Sequence, residues 1–185
     1  MSKKVYYSWE DIGHMLMSIN NLMSADGWRP DYIVGVTRGG LVPAVMLSNL
    51  TGIEMHALGK DESNCWMAEN AFGYESEYNG VSAEDALVPD VTAMDNRMNI
   101  LIIDDINDSG KTFDWIKRDW PSVCLPHDDK WDTVWGENVR FATLVDNDSS
   151  TFGDVDYTAV EINKVDDPTW VVFPWEGERD YGSAD

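Results

Sequence analysis

Asp104 and Asp105 stand side by side directly after Ile100-Leu101-Ile102-Ile103, and Ile106-Asn107-Asp108-Ser109-Gly110-Lys111-Thr112 follows them. Four consecutive apolar residues read as a strand buried on both faces of a parallel sheet. In open α/β sheets, ligands bind outside the carboxyl ends of the strands. The two carboxylates are therefore delivered to a ligand edge, where they can accept from sugar hydroxyls or hold a metal. The loop behind them carries small residues that let backbone N–H groups approach an anion, and Ser109 and Thr112 add hydroxyl donors. The helix it opens attracts negative charge at its N-terminus. Acceptors beside a phosphate cradle on one element suit a phosphorylated sugar. Gly110-Lys111-Thr112 also invites a P-loop reading, but that motif requires glycine where this chain has Asp105.

The rest of the chain must place that segment. Ser8 caps a helix with Asp11 three residues on, and Ile12, Leu16, Ile19, Leu22 and Met23 follow at helical spacing until Asp26-Gly27 and Pro30. Tyr32 to Val36 reads as a buried strand, Arg38-Gly39-Gly40 as a tight turn, and Leu41 to Leu50 as a helix with Pro43 in its first turn and Gly52 beyond its end. A short strand is expected over 54–58. The strand at 100–103 stops at the aspartates, and a helix over 112–120 closes at Pro121. The stretch 123–138 is ambiguous, with a helix around Trp131 and Trp135 as one reading. Strands are expected over 139–145, 157–162 and 170–173. Residues 60–99 are acidic, Asn-rich and broken by glycine, and read as a long loop or hood. Strand, turn and helix in this alternation predict one α/β domain over 1–185, a mainly parallel twisted sheet flanked by helices.

Composition narrows the partners. The 185 residues are 43% apolar, enough for one sizeable core, and 34 acidic against 13 basic residues give a net charge of −21. That balance argues against nucleic acid, whose binding draws on Lys and Arg at phosphates, and against an anionic membrane surface. No apolar run approaches the ~20 residues of a membrane span, and the first residues lack the apolar core of a secretory signal. Cys65 and Cys124 form neither a CxxC pair nor a zinc spacing, so a cytoplasmic setting is the default. An anionic ligand in so acidic a protein requires its few cations, backbone N–H groups and a metal to gather around it.

The segment from Ile100 to Thr112 resembles the diagnostic stretch of the type I phosphoribosyltransferases: an apolar strand, two acids, three variable residues, Thr or Ser, Gly, one more residue and Thr. Ser109 takes the usual Thr place. The resemblance implies that Asp104 and Asp105 hold the ribose hydroxyls of phosphoribosyl pyrophosphate, directly or beside Mg²⁺. It implies that the loop Asp108, Ser109, Gly110, Lys111 and Thr112 binds the 5-phosphate, and that Asp108 accepts the proton lost by the base. Lys111, at a variable position, faces solvent in this reading. Val34 to Ala44 looks like the pyrophosphate loop of the xanthine-guanine branch, implying a cis peptide between Thr37 and Arg38, with Arg38 and the Gly39 N–H facing pyrophosphate. Thr169 to Glu176 is similar to the purine-binding segment: Trp170 would stack on the base, the backbone of Val171 would read its edge, and Glu176 would contact Mg²⁺. Either Trp170 or Trp175 packs in the core while the other stacks. Where purine members carry a Lys reaching the 6-oxo group this chain has Asn147, whose amide can donate to an oxo group or accept from an amino group; Lys164 offers a substitute.

The implied function is transfer of phosphoribose from phosphoribosyl pyrophosphate to a 6-oxopurine (hypoxanthine, guanine or xanthine), in a homodimer usual for such proteins. Transfer to adenine or a pyrimidine, and ligand sensing without catalysis on the same scaffold, stay open. His14 is expected to be structural or exposed, His56 to lack a partner, His127-Asp128-Asp129 to form a solvated loop, and Arg179 to lie in a surface tail.

Overall fold

The computed structural model describes residues 3–59, 65–73, 96–124 and 129–176. In chain order these form β1 (Lys3–Tyr6), α1 (Trp9–Ala25), β2 (Tyr32–Val36), α2 (Leu41–Thr51), β3 (Glu54–Leu58), α3 (Cys65–Phe72), β4 (Ile100–Asn107), α4 (Lys111–Val123), a 3-10 turn (Asp129–Thr133), β5 (Val139–Asn147), β6 (Tyr157–Ile162) and β7 (Thr169–Val172). Five strands make a parallel sheet in the order β3-β2-β4-β5-β6, and β1 pairs with β7 in a separate two-stranded parallel sheet.

The apolar run of β4 is required because both its faces are covered. Ile100 and Ile102 join Val34, Phe141, Phe113, Ile116 and Trp120 on the side of α3 and α4. Leu101 and Ile103 join Ile12, Leu16, Ile33, Leu47 and Leu144 on the side of α1 and α2. Successive side chains of a strand point to opposite faces, so a polar residue anywhere in 100–103 would be buried without a partner. α4 answers with Phe113, Ile116 and Trp120, its buried stripe, while Lys111, Asp114, Lys117, Arg118 and Asp119 keep the rest of the helix largely polar. α1 starts as its sequence dictates: Asp11 N–H donates to Ser8 Oγ at 3.2 Å, and Ser8 N–H to Asp11 Oδ2 at 2.7 Å.

Several boundaries differ from the sequence reading. β4 does not stop at the aspartates but continues to Asn107, because its backbone goes on pairing with β5 (Asp104 with Thr143, Ile106 with Val145) whatever the side chains carry. α4 runs past Pro121 to Val123; a proline in the last turn removes a single hydrogen bond and the turn closes with Cys124 N–H on Trp120 O. The ambiguous stretch holds a short 3-10 turn that buries Trp131, whose indole donates to Cys124 O at 3.0 Å. β1 has too little pattern to be read alone and gains its definition from β7. Within the stretch expected as a loop or hood, Met67, Ala68, Ala71 and Phe72 pack α3 onto the core; residues 60–64 and 74–95 lie outside the described residues, as do His127, Asp128 and Arg179. His14 is exposed, while His56 has partners the sequence did not reveal, Glu54 at 3.7 Å and the edges of Tyr32 and Trp66.

Among the described residues no helix is long and apolar enough to cross a membrane. Cys65 and Cys124 are free thiols, and burial pushes that of Cys124 up to about 12, which makes it a packing residue and not a nucleophile.

Candidate active site

Because β2, β4, β5 and β6 are parallel, the segments that follow them meet at one edge of the sheet. The turn 37–40 leaves β2, the loop 108–110 leaves β4, and 148–152 and 163–168 leave β5 and β6. The register sets Gly35 beside Ile103, so the Arg38-Gly39-Gly40 turn falls onto Asp104 and Asp105.

Contact there is close enough to forbid side chains. A Cβ at Gly39 would stand 2.1 Å from Asp105 Oδ2, and one at Gly40 would stand 2.4 Å from Ile103 O and 2.9 Å from Asp104 Cα. The Thr37–Arg38 peptide is cis, as expected from the sequence. Thr37 N–H donates to Leu58 O at 2.9 Å, while the Thr37 and Arg38 side chains are exposed at this edge.

The adjacent acids part company by strand alternation. Asp104 lines a cavity of about 70 Å³ with the 108–112 loop, and Asp105 lies near Trp175 and Glu176. Asp104 is only 9% exposed; its carboxylate accepts from the Asp105 N–H at 3.0 Å and from the Gly40 N–H. Burial first, and the neighbouring Asp105 charge second, push its pKa well above the usual carboxylate range. Asp105 is also pushed up, mainly by burial, with the Glu176 carboxylate adding to the rise and the Ile106 N–H and the Trp175 indole opposing it. Trp175 Nε1 is buried and completes no hydrogen bond of normal geometry, so its influence on Asp105 is that of a nearby donor held just out of reach.

This has a consequence for stability. A carboxyl group whose pKa is raised by folding favours the fold while neutral and opposes it once the pH climbs through that raised value. Asp104→Asn keeps an acceptor for both N–H donors and removes the buried charge. In metal-free buffer the variant is expected to melt higher than the wild type at pH 7–8, and the gain to vanish as the pH falls below ~3.9, the unfolded Asp value. Thermal melts across pH check this; an equal or lower melting temperature at pH 8 contradicts it.

The 108–112 loop has its own supports. Gly110 has φ +83, and a Cβ there would meet Phe152 N and Thr151 Oγ1, each at 2.5 Å. Thr151 Oγ1 donates to Ser109 O at 2.8 Å, and Asn107 Nδ2 to Phe152 O at 2.9 Å. The 150–152 segment thus backs the loop, a role that sequence spacing did not signal. Lys111 is exposed, as expected, and Thr112 half-buried.

β7 presents Trp170 at 52% exposure, and the neighbouring Val171 is buried. Trp175 stacks on Phe173 at 4.8 Å and tilts against Trp9, so Trp170 is the free aromatic face and Trp175 the packed one. Glu176 Oε2 accepts from the Phe173 N–H at 3.2 Å, which fixes the turn that brings it toward Asp105. Asn147 is the residue expected to face the base. It is 5% exposed, and its amide is taken up locally: Nδ2 donates to Asp108 O at 2.8 Å, and Oδ1 accepts from Lys164 N–H and Ser149 Oγ.

The small-residue 108–112 loop, the acid pair and the Gly39-Gly40 turn thus share one edge of the parallel sheet. The profile of the phosphoribosyl transferase domain matches residues 6–181. The chain belongs to the phosphoribosyl transferase family. It is a pentosyltransferase of the type I phosphoribosyltransferase fold. Similar curated members are the xanthine-guanine phosphoribosyltransferases of Cereibacter sphaeroides, 27% identical over 97% of this chain and 90% of that protein, and of Roseobacter denitrificans, 24% identical over 97% and 89%. Among solved structures, the purine phosphoribosyltransferase of Pyrococcus horikoshii shares the fold with TM-score 0.60 at 22% identity, covering 98% of this chain and 99% of that one. The Helicobacter pylori xanthine-guanine-hypoxanthine phosphoribosyltransferase does so with TM-score 0.59 at 16% identity, covering 96% and 95%.

Proposed function

We propose that this phosphoribosyltransferase transfers the 5-phosphoribosyl group of phosphoribosyl pyrophosphate to a 6-oxopurine, hypoxanthine, guanine or xanthine, releasing pyrophosphate and the nucleoside monophosphate. The observation that carries the reading is the packing of the Gly39-Gly40 turn onto Asp104 and Asp105, with Asp104 also lining the cavity of the 108–112 loop. That juxtaposition suits an activated pentose with an anion at each end. The names of the curated relatives support the purine as acceptor.

In this reading the N–H groups and hydroxyls of Ser109, Gly110 and Thr112, with Lys111 at the rim, hold the 5-phosphate, and Asp104 and Asp105 take the ribose hydroxyls. Arg38 and the Gly39 N–H meet the pyrophosphate as fixed donors whose contribution grows as negative charge develops on the leaving group. Trp170 offers a flat apolar face to the base and the Val171 backbone its polar groups, which suits a planar ring of little charge. Asp108, between phosphate loop and base, receives the proton lost from the imidazole ring.

Asp104, Asp105 and Glu176 also fit Mg²⁺. They are oxygen donors only, and the charge each presses on its neighbour is relieved by a hard cation. Among the described residues no three acids, histidines or cysteines form a metal cage by themselves, so Asp104, Asp105 and Glu176 would hold the ion only together with substrate oxygens. When bound, Mg²⁺ supplies positive charge to the pyrophosphate leaving group. A cytoplasmic setting and a homodimer complete the proposal.

The test is to mix the protein with phosphoribosyl pyrophosphate, Mg²⁺ and each base in turn, and to follow the ultraviolet change. Turnover of at least one 6-oxopurine in preference to adenine and pyrimidines is expected. Turnover of adenine or a pyrimidine alone would reassign the base, and thermal stabilisation by phosphoribosyl pyrophosphate without product from any base would mark a ligand sensor.

A further inference from the structure

Exposed ion pairs contribute little, because two long side chains must be held in one geometry against solvent. The pair between Lys164 Nζ and Asp108 Oδ1, 2.8 Å apart with side-chain exposures of 21% and 53%, stands out because its backbone is already fixed. A single buried amide, that of Asn147, holds both partners: Nδ2 on the carbonyl of Asp108 at 2.8 Å, and Oδ1 on the N–H of Lys164 at 3.0 Å. Ser149 Oγ donates to the same Oδ1 at 2.8 Å and fixes the amide's orientation. The Asp148 N–H on Ile162 O, also at 2.8 Å, ties the end of β5 to the end of β6. The loop after β4, the end of β5 and the loop after β6 are thereby joined at one point, and the cation reaches from the third back to the carboxylate of the first. Among the described residues, Asp108 is the acid within ion-pair distance of Lys164.

We infer that Lys164 is a positioning residue for phosphoribosyl transfer: clamped through Asn147, it holds the Asp108 carboxylate in place beside the phosphate loop. The inference rests on the proposed role of Asp108 and goes beyond it, since it makes the aim of that carboxylate depend on two residues outside the loop. Asn147 acts through Asp108 and Lys164 and does not touch the base.

Lys164→Met retains the stem and removes the charge. A misplacement of about 1 Å in a reacting group can lower the rate on the order of 100-fold. Lys164→Met is therefore expected to lower kcat ~10-fold to 100-fold with KM for both substrates within ~3-fold of wild type. Lys164→Arg is expected to restore part of the loss, and Asn147→Ala to give the same kcat-specific pattern, non-additive with Lys164→Met. A kcat unchanged in Lys164→Met overturns the inference while leaving the proposed reaction intact. Crystal structures of the wild type and Lys164→Met judge it without any assay of activity. A displaced or split Asp108 carboxylate in the variant is the expected result, and superimposable carboxylates overturn it even if no base proves to be a substrate.

Discussion

Asp108→Asn is expected to lower kcat by roughly 10²–10⁴-fold, the usual range for loss of a general acid–base group, with little change in the affinity for phosphoribosyl pyrophosphate. The substitution is nearly isosteric. An asparagine oxygen can still accept from Lys164, whose ammonium lies 2.8 Å from the present carboxylate, and the Asp108 carbonyl keeps its bond from Asn147. The backbone N–H groups and the Ser109 and Thr112 hydroxyls proposed to hold the 5-phosphate are untouched. What disappears is the ability to take a proton. Steady-state kinetics with saturating base, together with calorimetric binding of phosphoribosyl pyrophosphate, separate the two quantities. Wild-type kcat in the variant removes Asp108 as the acceptor, and lost binding with intact kcat would move its role to the phosphate.

The largest effect on stability is expected at Gly40. Its φ of −68 is open to any residue, so the restriction there is space and not backbone conformation. A Cβ would press on Ile103 O at 2.4 Å, Val36 N at 2.8 Å and Asp104 Cα at 2.9 Å. All three are backbone atoms of the two central strands, and none can rotate away. Overpacking of this kind costs about 1–3 kcal/mol, occasionally more, and rigid neighbours place Gly40→Ala at ~3 kcal/mol. For a chain of this size that is a drop of roughly 6–12 °C in melting temperature. Gly39→Ala supplies the contrast. The atoms nearest its Cβ all belong to the Asp105 carboxyl group, a side chain that can turn, so stability should fall less than in Gly40→Ala while the acid is pushed from its place and activity is lost. Calorimetry of the two variants decides: equal melting temperatures would mean that the turn yields as a unit.

Much of this architecture was legible because the signals are local and redundant. Ser8 and Asp11 announce a helix start and form the reciprocal cap. The run Ile100 to Ile103 announces a doubly covered strand, and its residues divide between the two core clusters as alternation demands. The Thr37–Arg38 cis peptide came from a resemblance and not from physics, since nothing in the residue types alone distinguishes it. What escaped the sequence was set by distant partners. β1 exists through β7, α3 through the core it covers, and the extension of β4 through its ladder with β5.

The site follows the same division. Residue types at Asp104, Asp105, Ser109, Gly110 and Thr112 advertise their chemistry. By contrast, the backing of Ser109 and Gly110 by Ser150, Thr151 and Phe152, with contacts across some forty positions, has no local signature. Asn147 shows the limit most clearly. An amide at a strand end reads equally well as a ligand group and as a backbone clamp, and only the positions of Asp108 and Lys164 decide for the clamp.

The most direct measurement is a crystal structure of the protein with phosphoribosyl pyrophosphate and Mg²⁺. Density for the 5-phosphate within the 108–112 loop, ribose hydroxyls at Asp104 and Asp105, and the diphosphate against Arg38 and Gly39 is the expected result. A sugar diphosphate bound elsewhere, or an empty loop at saturating concentration, would contradict the assignment of this sheet edge as the seat of the reaction.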